Sequence, residues 1–127
     1  MACAVPLNRS QAAAVRLATQ QTLTLWQGPP GSGKTRTIVH LLSVLRSVTK
    51  RTGARLLVSA GSNVAVDNVA AGLRQVGLAV VRVGQPGKVA AGLQDITLDA
   101  LVHTHPLGAS PLPEDAQCRW LLRWCRP

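Results

Sequence analysis

The 127-residue sequence predicts an α/β fold in which helices flank a parallel sheet. Short aliphatic runs recur at 22–26, 55–60 and 78–83, and a glycine follows each within two residues. Segments with apolar residues at helical spacing lie between these runs, at 34–48 and 63–76. The resulting order of strand, helix, strand, helix, strand is typical of a doubly wound unit with right-handed crossovers.

The predicted helices carry their own start and stop signals. A helix is predicted over 10–19, with Ser10 as its N-cap. The helix at 63–76 is predicted to end at Gly77, which supplies a C-terminal cap. Three aliphatic residues of that helix are expected to face inward: Val64, Val69 and Leu73.

The composition sets the nature of the core and the extent of the domain. Hydrophobic residues make up 46% of the chain but aromatic residues only 2%, so the core is expected to be aliphatic, as in a buried parallel sheet. The α/β pattern stops near residue 100. We therefore predict a partial domain over 1–100 and an irregular tail over 101–127. A sheet cut off in this way is expected to expose strand edges and to be marginally stable.

The charge balance suggests a class of partner. Fourteen Lys and Arg oppose five Asp and Glu, giving a formal net charge of +9. Such an excess favours a polyanion such as nucleic acid. The basic residues are scattered along the chain, however, so a solvated Arg-rich surface is the alternative interpretation.

The cysteine count and the hydropathy pattern bear on the compartment. Three cysteines without a CxxC pair predict neither a disulfide framework nor a zinc site, and they favour an intracellular protein. No apolar run approaches the ~18 residues of a membrane span.

The strongest motif is GPPGSGKT at 28–35, between a predicted strand and a predicted helix. Its glycines let backbone N–H groups turn inward around phosphate oxygens, and the helix N-terminus adds partial positive charge. Lys34 is expected to reach the β- and γ-phosphates, and the Thr35 hydroxyl to bind Mg²⁺ of an ATP complex. The predicted nucleotide-binding residues of this P-loop are Gly28, Pro29, Pro30, Gly31, Ser32, Gly33, Lys34, Thr35 and the adjoining Arg36.

Hydrolysis needs more than this loop. Lys34 and Thr35 are the candidate catalytic residues, but a further acidic residue at the end of a strand must hold magnesium or orient water. Glu114 and Asp115 follow a Pro-Leu-Pro segment and not an aliphatic strand. The sequence therefore predicts nucleotide binding better than it predicts hydrolysis.

Four segments together resemble superfamily 1 helicases, in the branch of the regulator of nonsense transcripts and the immunoglobulin mu-binding protein. LNRSQ at 7–11 is similar to the Q motif and GPPGSGKT at 28–35 to motif I. SNVAVDN at 62–68 resembles motif Ia, and VVRVG at 80–84 resembles the segment after the third strand. The match covers about residues 7–100, with Ser32 in place of the usual Thr and Gly61 in place of the usual Pro.

The resemblance implies a RecA-like sheet, an ATP cofactor with Mg²⁺, and translocation on single-stranded RNA or DNA by the full-length protein. It implies that Gln11 contacts adenine, although an exposed helix residue is the simpler interpretation of the sequence alone. It also implies that Ser62 and Asn63 contact the nucleic-acid backbone, while helix capping would use the same residue types. A DEAA-like Walker B strand and a second RecA-like domain are not seen in the sequence. The alternative function is a non-catalytic nucleotide- or nucleic-acid-binding module.

The remaining candidates have plainer interpretations. Asp67, one turn into the helix at 63–76, is predicted to be structural. Arg82 is predicted to be either a basic contact or a solvated strand residue, and Trp26 to pack in the core. Trp120 and Trp124 suit either stacking on single-stranded bases or a short amphipathic tail.

Overall fold

The structure is a computed structural model, and it describes residues 6–105. Four α-helices lie in this range: α1 at Arg9–Gln20, α2 at Lys34–Thr49, α3 at Asn63–Gln75 and α4 at Leu98–Thr104. Two 3₁₀ helices, Pro86–Lys88 and Ala91–Ile96, connect α3 to α4. In the same range no helix is long and apolar enough to cross a bilayer.

The limits of the described range affect the predicted division into domain and tail. Helix α4 runs across residue 100, where the boundary was predicted. Most of the tail predicted over 101–127, including Trp120 and Trp124, lies outside the described residues.

The three segments predicted as strands do not pair with one another in the part of the chain that the structure describes. The β-pairing found there is a single parallel bridge between Arg82 and Thr97. In it, Arg82 N donates to Ile96 O at 2.8 Å and Leu98 N donates to Arg82 O at 3.0 Å. The predicted sheet is thus not confirmed. Strand pairing joins segments that are far apart in the chain, and consecutive strands of a doubly wound sheet need not be neighbours. Aliphatic runs alone therefore do not determine which segments pair.

Helix α1 begins at Arg9, and its cap is Asn8, two residues before the predicted cap Ser10. Asn8 Oδ1 accepts from Gln11 N at 2.9 Å, and Asn8 N donates to Gln11 Oε1 at 3.1 Å, which completes a capping box. Ser10 lies inside the first turn and donates its hydroxyl to Asn8 Oδ1 at 2.8 Å. The box needs Gln three residues after the cap, a condition that Asn8 meets and Ser10 does not.

Helix α3 is capped at both ends. The Ser62 hydroxyl accepts from Ala65 N at 3.2 Å. Gly77 follows the helix with a φ of 77°, and its N–H donates to Arg74 O at 2.9 Å, so the predicted stop is confirmed.

The inward face of α3 differs from the prediction at one residue. Val69 and Leu73 are buried, but Val64 is exposed. At 3.6 residues per turn, Val64 lies about half a turn out of phase with Leu73. The prediction for Val64 was therefore wrong.

The core lies between α2 and α3 and is aliphatic, as the composition predicted. Val39 and Leu42 of α2 pack with Val69 and Leu73 of α3. A second cluster joins Ala70 of α3 to the 3₁₀ region after it. Its buried members are Ala70, Val89 and Leu93, and Val80 packs against both clusters. Helix α1 packs on α2, and its buried residue is Val15.

The segments predicted as strands present two different sides. Val58 packs against the core, and Thr24 and Trp26 are half-buried. Leu25 is 87% exposed and Leu57 is 93% exposed. This alternation has the period of a β-strand, with helices on one side and an open aliphatic side opposite. The exposed leucines of these segments, Leu23, Leu25 and Leu57, are together named the open leucine face.

A close contact between α2 and α3 depends on glycine. A Cβ at Gly72 would lie 2.8 Å from Cγ2 of Val39, a residue that is itself buried. The β-branched Val39 has few rotamers with which to move away. Gly72 therefore sets how closely the two helices approach.

We expect Gly72→Ala to lower the free energy of unfolding by about 1 kcal/mol. Overpacking costs about 1–3 kcal/mol, and the better helix propensity of Ala recovers about 1 kcal/mol. In a Val39→Ala background the clash is gone, so the same substitution should raise stability by about 1 kcal/mol. Urea unfolding followed by circular dichroism measures both, and the same sign in both backgrounds would contradict the packing account.

Candidate functional site

The turn of the P-loop, residues 28–33, connects the segment 22–26 to α2, and its shape requires its glycines. Gly31 and Gly33 have φ values of 77° and 80°, in the left-handed region that side chains disfavour. A Cβ at Gly28 would lie 2.9 Å from Ser32 Oγ. The loop is thus a tight backbone turn that leads into the N-terminus of α2, as the motif predicted.

The Lys34 side chain folds back over this loop. Its Nζ donates to Gly28 O at 2.6 Å and to Pro29 O at 2.8 Å. The ammonium therefore lies at the start of α2, where the first helical N–H groups have no partner within the helix. Thr35 is exposed in the first turn of α2. A cation, a helix N-terminus and a hydroxyl fit the phosphates and magnesium of a nucleotide.

Gln11 joins α1 to the P-loop. Its Nε2 donates to Ser32 O at 3.0 Å while its Oε1 takes part in the capping box with Asn8. A Cβ at Gly33 would lie 2.7 Å from Gln11 Nε2, so a glycine is needed there for this contact as well. The interpretation of Gln11 as a simple exposed helix residue is therefore incomplete, since its amide bonds to the loop.

Arg36 makes a second link between the P-loop helix and the chain before α1. Its guanidinium Nη2 donates to Pro6 O, and the residue is half-buried. The segment 6–11 is thus tied to the P-loop region at two points, through Arg36 and Gln11.

Ser62 and Asn63 lie at the N-terminus of α3 and are exposed. They line a cleft of about 290 Å³, which is bounded by residues 58–63 on one side and 82–84 on the other. The cap formed by Ser62 is made with its oxygen as acceptor, so its hydroxyl proton stays available as a donor.

A buried ion pair lies behind this cleft. Arg82 Nε donates to Asp67 Oδ1 at 2.7 Å, and the two residues are 5% and 7% exposed. Ala90 N donates to Asp67 Oδ2 at 3.0 Å, and Arg82 Nη2 donates to Asn63 Oδ1 at 2.8 Å. Asp67 is therefore structural, as predicted. Arg82 is neither solvated nor a direct surface contact.

Sequence reasoning missed the pairing of Arg82 with Asp67. The signal was available, because an arginine inside the apolar run at 78–83 is out of place unless it finds an anion. Asp67 is the one acidic residue within the predicted helix before that run.

The pair changes the acidity of the carboxyl group. The hydrogen bond from Arg82 holds the pKa of Asp67 below its ordinary value of 3.8, the backbone N–H of Ala90 acts in the same direction, and burial opposes both. Asp67 is thus a carboxylate throughout the neutral range.

Four further acidic residues occur in the chain. Asp95 is bound to Arg74 at 2.7 Å on the surface, and Asp99 lies in the first turn of α4. Glu114 and Asp115 lie outside the described residues. Within residues 6–105, no three His, Cys, Asp or Glu side chains gather in a way that could hold a metal ion.

Comparison with known proteins gives matches that cover most of the chain. A family profile with the description "AAA domain" matches residues 6–113. The DNA polymerase alpha-associated DNA helicase A of Schizosaccharomyces pombe is 39% identical over 99 residues, which is 77% of this chain and 14% of that protein.

Two further relatives have similar coverage. The ATP-dependent helicase NAM7 of Saccharomyces cerevisiae is 44% identical over 98 residues, which is 76% of this chain and 10% of that protein. The DNA-binding protein SMUBP-2 of Mus musculus is 37% identical over 97 residues, which is 76% of this chain and 9% of that protein. The chain thus spans between 9% and 14% of the length of these relatives.

We expect Asp67→Asn to lower the free energy of unfolding by about 3 kcal/mol at neutral pH, because it leaves Arg82 buried without its anion. The folded-state pKa of Asp67 lies below its ordinary value of 3.8, so the stabilisation is complete above that value and is lost as the pH falls through the folded-state pKa. Urea unfolding of the unaltered chain and of Asp67→Asn between about pH 6 and pH 2 measures the difference in their free energies of unfolding. A difference that does not shrink in acid would contradict the ion-pair account.

Proposed function

Because this chain belongs to the AAA domain family of the superfamily 1 helicases, as its motifs predicted, we propose that it is the ATP-binding segment of an ATP-dependent helicase. Residues 28–35 hold the triphosphate, Lys34 neutralises its β- and γ-phosphates, and Thr35 binds Mg²⁺. The observation that carries the proposal is the position of Lys34 Nζ, bonded to Gly28 O and Pro29 O beside the N-terminus of α2.

In the longer protein, ATP hydrolysis drives translocation along a single strand of RNA or DNA. This activity requires a carboxylate for the attacking water and a second domain that closes on ATP, and relatives several times longer than this chain have room for both. The chain supplies the phosphate-binding part of that machinery.

The three aliphatic segments at 22–26, 55–60 and 78–83 belong to the parallel sheet of a RecA-like domain. Two observations support this proposal. Val58 and Val80 pack against the α2–α3 core, while Leu25 and Leu57 stand on the open leucine face. Strands of a parallel sheet are apolar on both faces because helices cover both.

Ser62 and Asn63 contact the phosphate backbone of the single strand. Both are exposed at the N-terminus of α3, where helical N–H groups favour an anion. The +9 charge of the chain favours the same partner. Capping by Ser62 and phosphate binding are compatible, since the first uses the hydroxyl oxygen and the second its proton.

Gln11 reads the adenine base. Its side-chain amide offers both a donor and an acceptor, which the edge of adenine requires. Hydrogen bonds to adenine compete with the bonds that the Gln11 amide makes to Ser32 O and Asn8 N. The base and the P-loop therefore use the same side-chain amide.

We expect Lys34→Ala to weaken binding of a fluorescent ATP analogue about a hundredfold, because charge-assisted bonds to two phosphates are lost. Fluorescence anisotropy measures the affinity. Lys50→Ala, which removes an exposed lysine just after α2, is the matched control and should leave the affinity unchanged. Equal affinity of Lys34→Ala and the unaltered chain would refute the assignment of the P-loop.

We expect Gln11→Ala to weaken ATP binding about fivefold to tenfold, and to weaken binding of inorganic triphosphate less. Competition against the fluorescent analogue gives both affinities, with Gln20→Ala at the far end of α1 as the control. An equal loss for both ligands would show that Gln11 holds the P-loop through Ser32 and does not read the base.

A further inference from the structure

We infer that Arg82 is a positioning residue for the nucleic-acid contact at Asn63. It fixes the side-chain amide of Asn63 so that the amide nitrogen Nδ2, a donor, lies away from the buried guanidinium and toward the exposed side of the cleft. The inference deepens the proposed function and rests on it for the identity of the ligand. The orientation of Asn63 stands on the geometry alone.

The guanidinium of Arg82 is held in one orientation. Its Nε bonds to Asp67, its Nη2 to Asn63 and its Nη1 to the carbonyl oxygen of Val83. These bonds use all three nitrogens of a planar, rigid fork, and the residue is buried. The atom that Asn63 meets is therefore a fixed donor.

A fixed donor decides which end of the Asn63 amide faces it. Arginine has donors and no acceptor, so Asn63 must present Oδ1, as the 2.8 Å contact with Nη2 shows. The donor Nδ2, bonded to the same carbon, then points away from the guanidinium. Phosphate oxygens accept hydrogen bonds, so only this orientation offers a backbone phosphate a donor. Without Arg82, rotation about the last side-chain bond exposes the oxygen as readily.

Gly84 is a second residue that the position of the guanidinium requires. Its φ is 156°, and a Cβ there would lie 2.6 Å from Arg82 Nη1. The glycine that ends the VVRVG segment thus leaves room for the guanidinium. The same segment supplies the arginine and the space that the arginine needs.

The test uses the 127-residue chain with Arg82→Lys, Asn63→Ala and the double variant. Lysine keeps a positive charge beside Asp67 but cannot reach Asn63 at the same time. Anisotropy of a fluorescein-labelled single-stranded oligonucleotide should show a loss of about tenfold for Asn63→Ala, which removes the contact. Arg82→Lys should show a loss of about twofold, because about half of the Asn63 amides still present their donor. The double variant should show the same loss of about tenfold as Asn63→Ala, because Arg82 acts through an amide that is then absent.

Binding of the fluorescent ATP analogue should be unchanged in all three variants. The inference is overturned if Arg82→Lys binds the oligonucleotide as the unaltered chain does. A double variant whose loss is the product of the two single losses overturns it too, since Arg82 would then act independently of Asn63.

A variant at the exposed Asn63 tests the inference even if the Arg82 variants misfold. Asn63→Asp keeps an acceptor for Arg82 but replaces the outward donors by an anion. It should lose more oligonucleotide affinity than Asn63→Ala, and affinity equal to that of the unaltered chain overturns the inference.

A measurement without nucleic acid separates the inference from the proposed function. In ¹⁵N–¹H spectra, the chemical shifts of the Asn63 side-chain amide should differ from those of a freely rotating amide. They should move to the values of a freely rotating amide in Arg82→Lys but not in Arg51→Lys. Unchanged signals in Arg82→Lys overturn the inference. Failure of the unaltered chain to bind any oligonucleotide rejects the nucleic-acid contact instead, and the amide signals still decide whether Arg82 orders Asn63.

Discussion

The buried ion pair between Arg82 and Asp67 holds α3 against the chain that follows it. Asp67 belongs to α3, and its second oxygen accepts the N–H of Ala90. Arg82 bonds through its backbone to Ile96 and Leu98, next to the start of α4. An unpaired charge at this depth is costly, so the two side chains must meet for the region from 62 to 98 to pack. Val80, two residues before Arg82 in the chain, packs against both apolar clusters.

Side-chain hydrogen bonds also hold together the elements around the P-loop. Gln11 of α1 bonds to the P-loop at Ser32, and Arg36 of α2 bonds to Pro6, which precedes α1. Helix α2 then carries the P-loop at its N-terminus, and α3 carries Asn63 at its own. Because Gly72 lets these helices approach closely at Val39, both candidate binding ends stand on one packed unit. Sites supported by packed helices keep their geometry better than sites on loops.

Local signals in the sequence account for what was predicted well. The P-loop, the bounds of α2 and α3 and the stop at Gly77 depend on residues close to one another in the chain. The cap at Asn8 was missed because a capping box depends on two residues together, and Val64 was misplaced because the phase of a helix is set by its partners. The ion pair joins residues 15 apart, and the sheet requires partners farther away still. Such non-local contacts leave only indirect marks, such as an arginine inside an aliphatic run.

The open leucine face has a consequence for how the chain behaves in solution. Exposed aliphatic side chains beside unpaired strand backbone attract further copies through the same bonds that build a sheet. The net charge of +9 opposes this by repulsion between copies. At 0.1 M salt, the repulsion between charges more than about 10 Å apart is largely screened, while the attraction between aliphatic side chains remains. Ionic strength therefore acts as a control on self-association, with dispersed chains favoured in dilute buffer and assembled ones in concentrated salt.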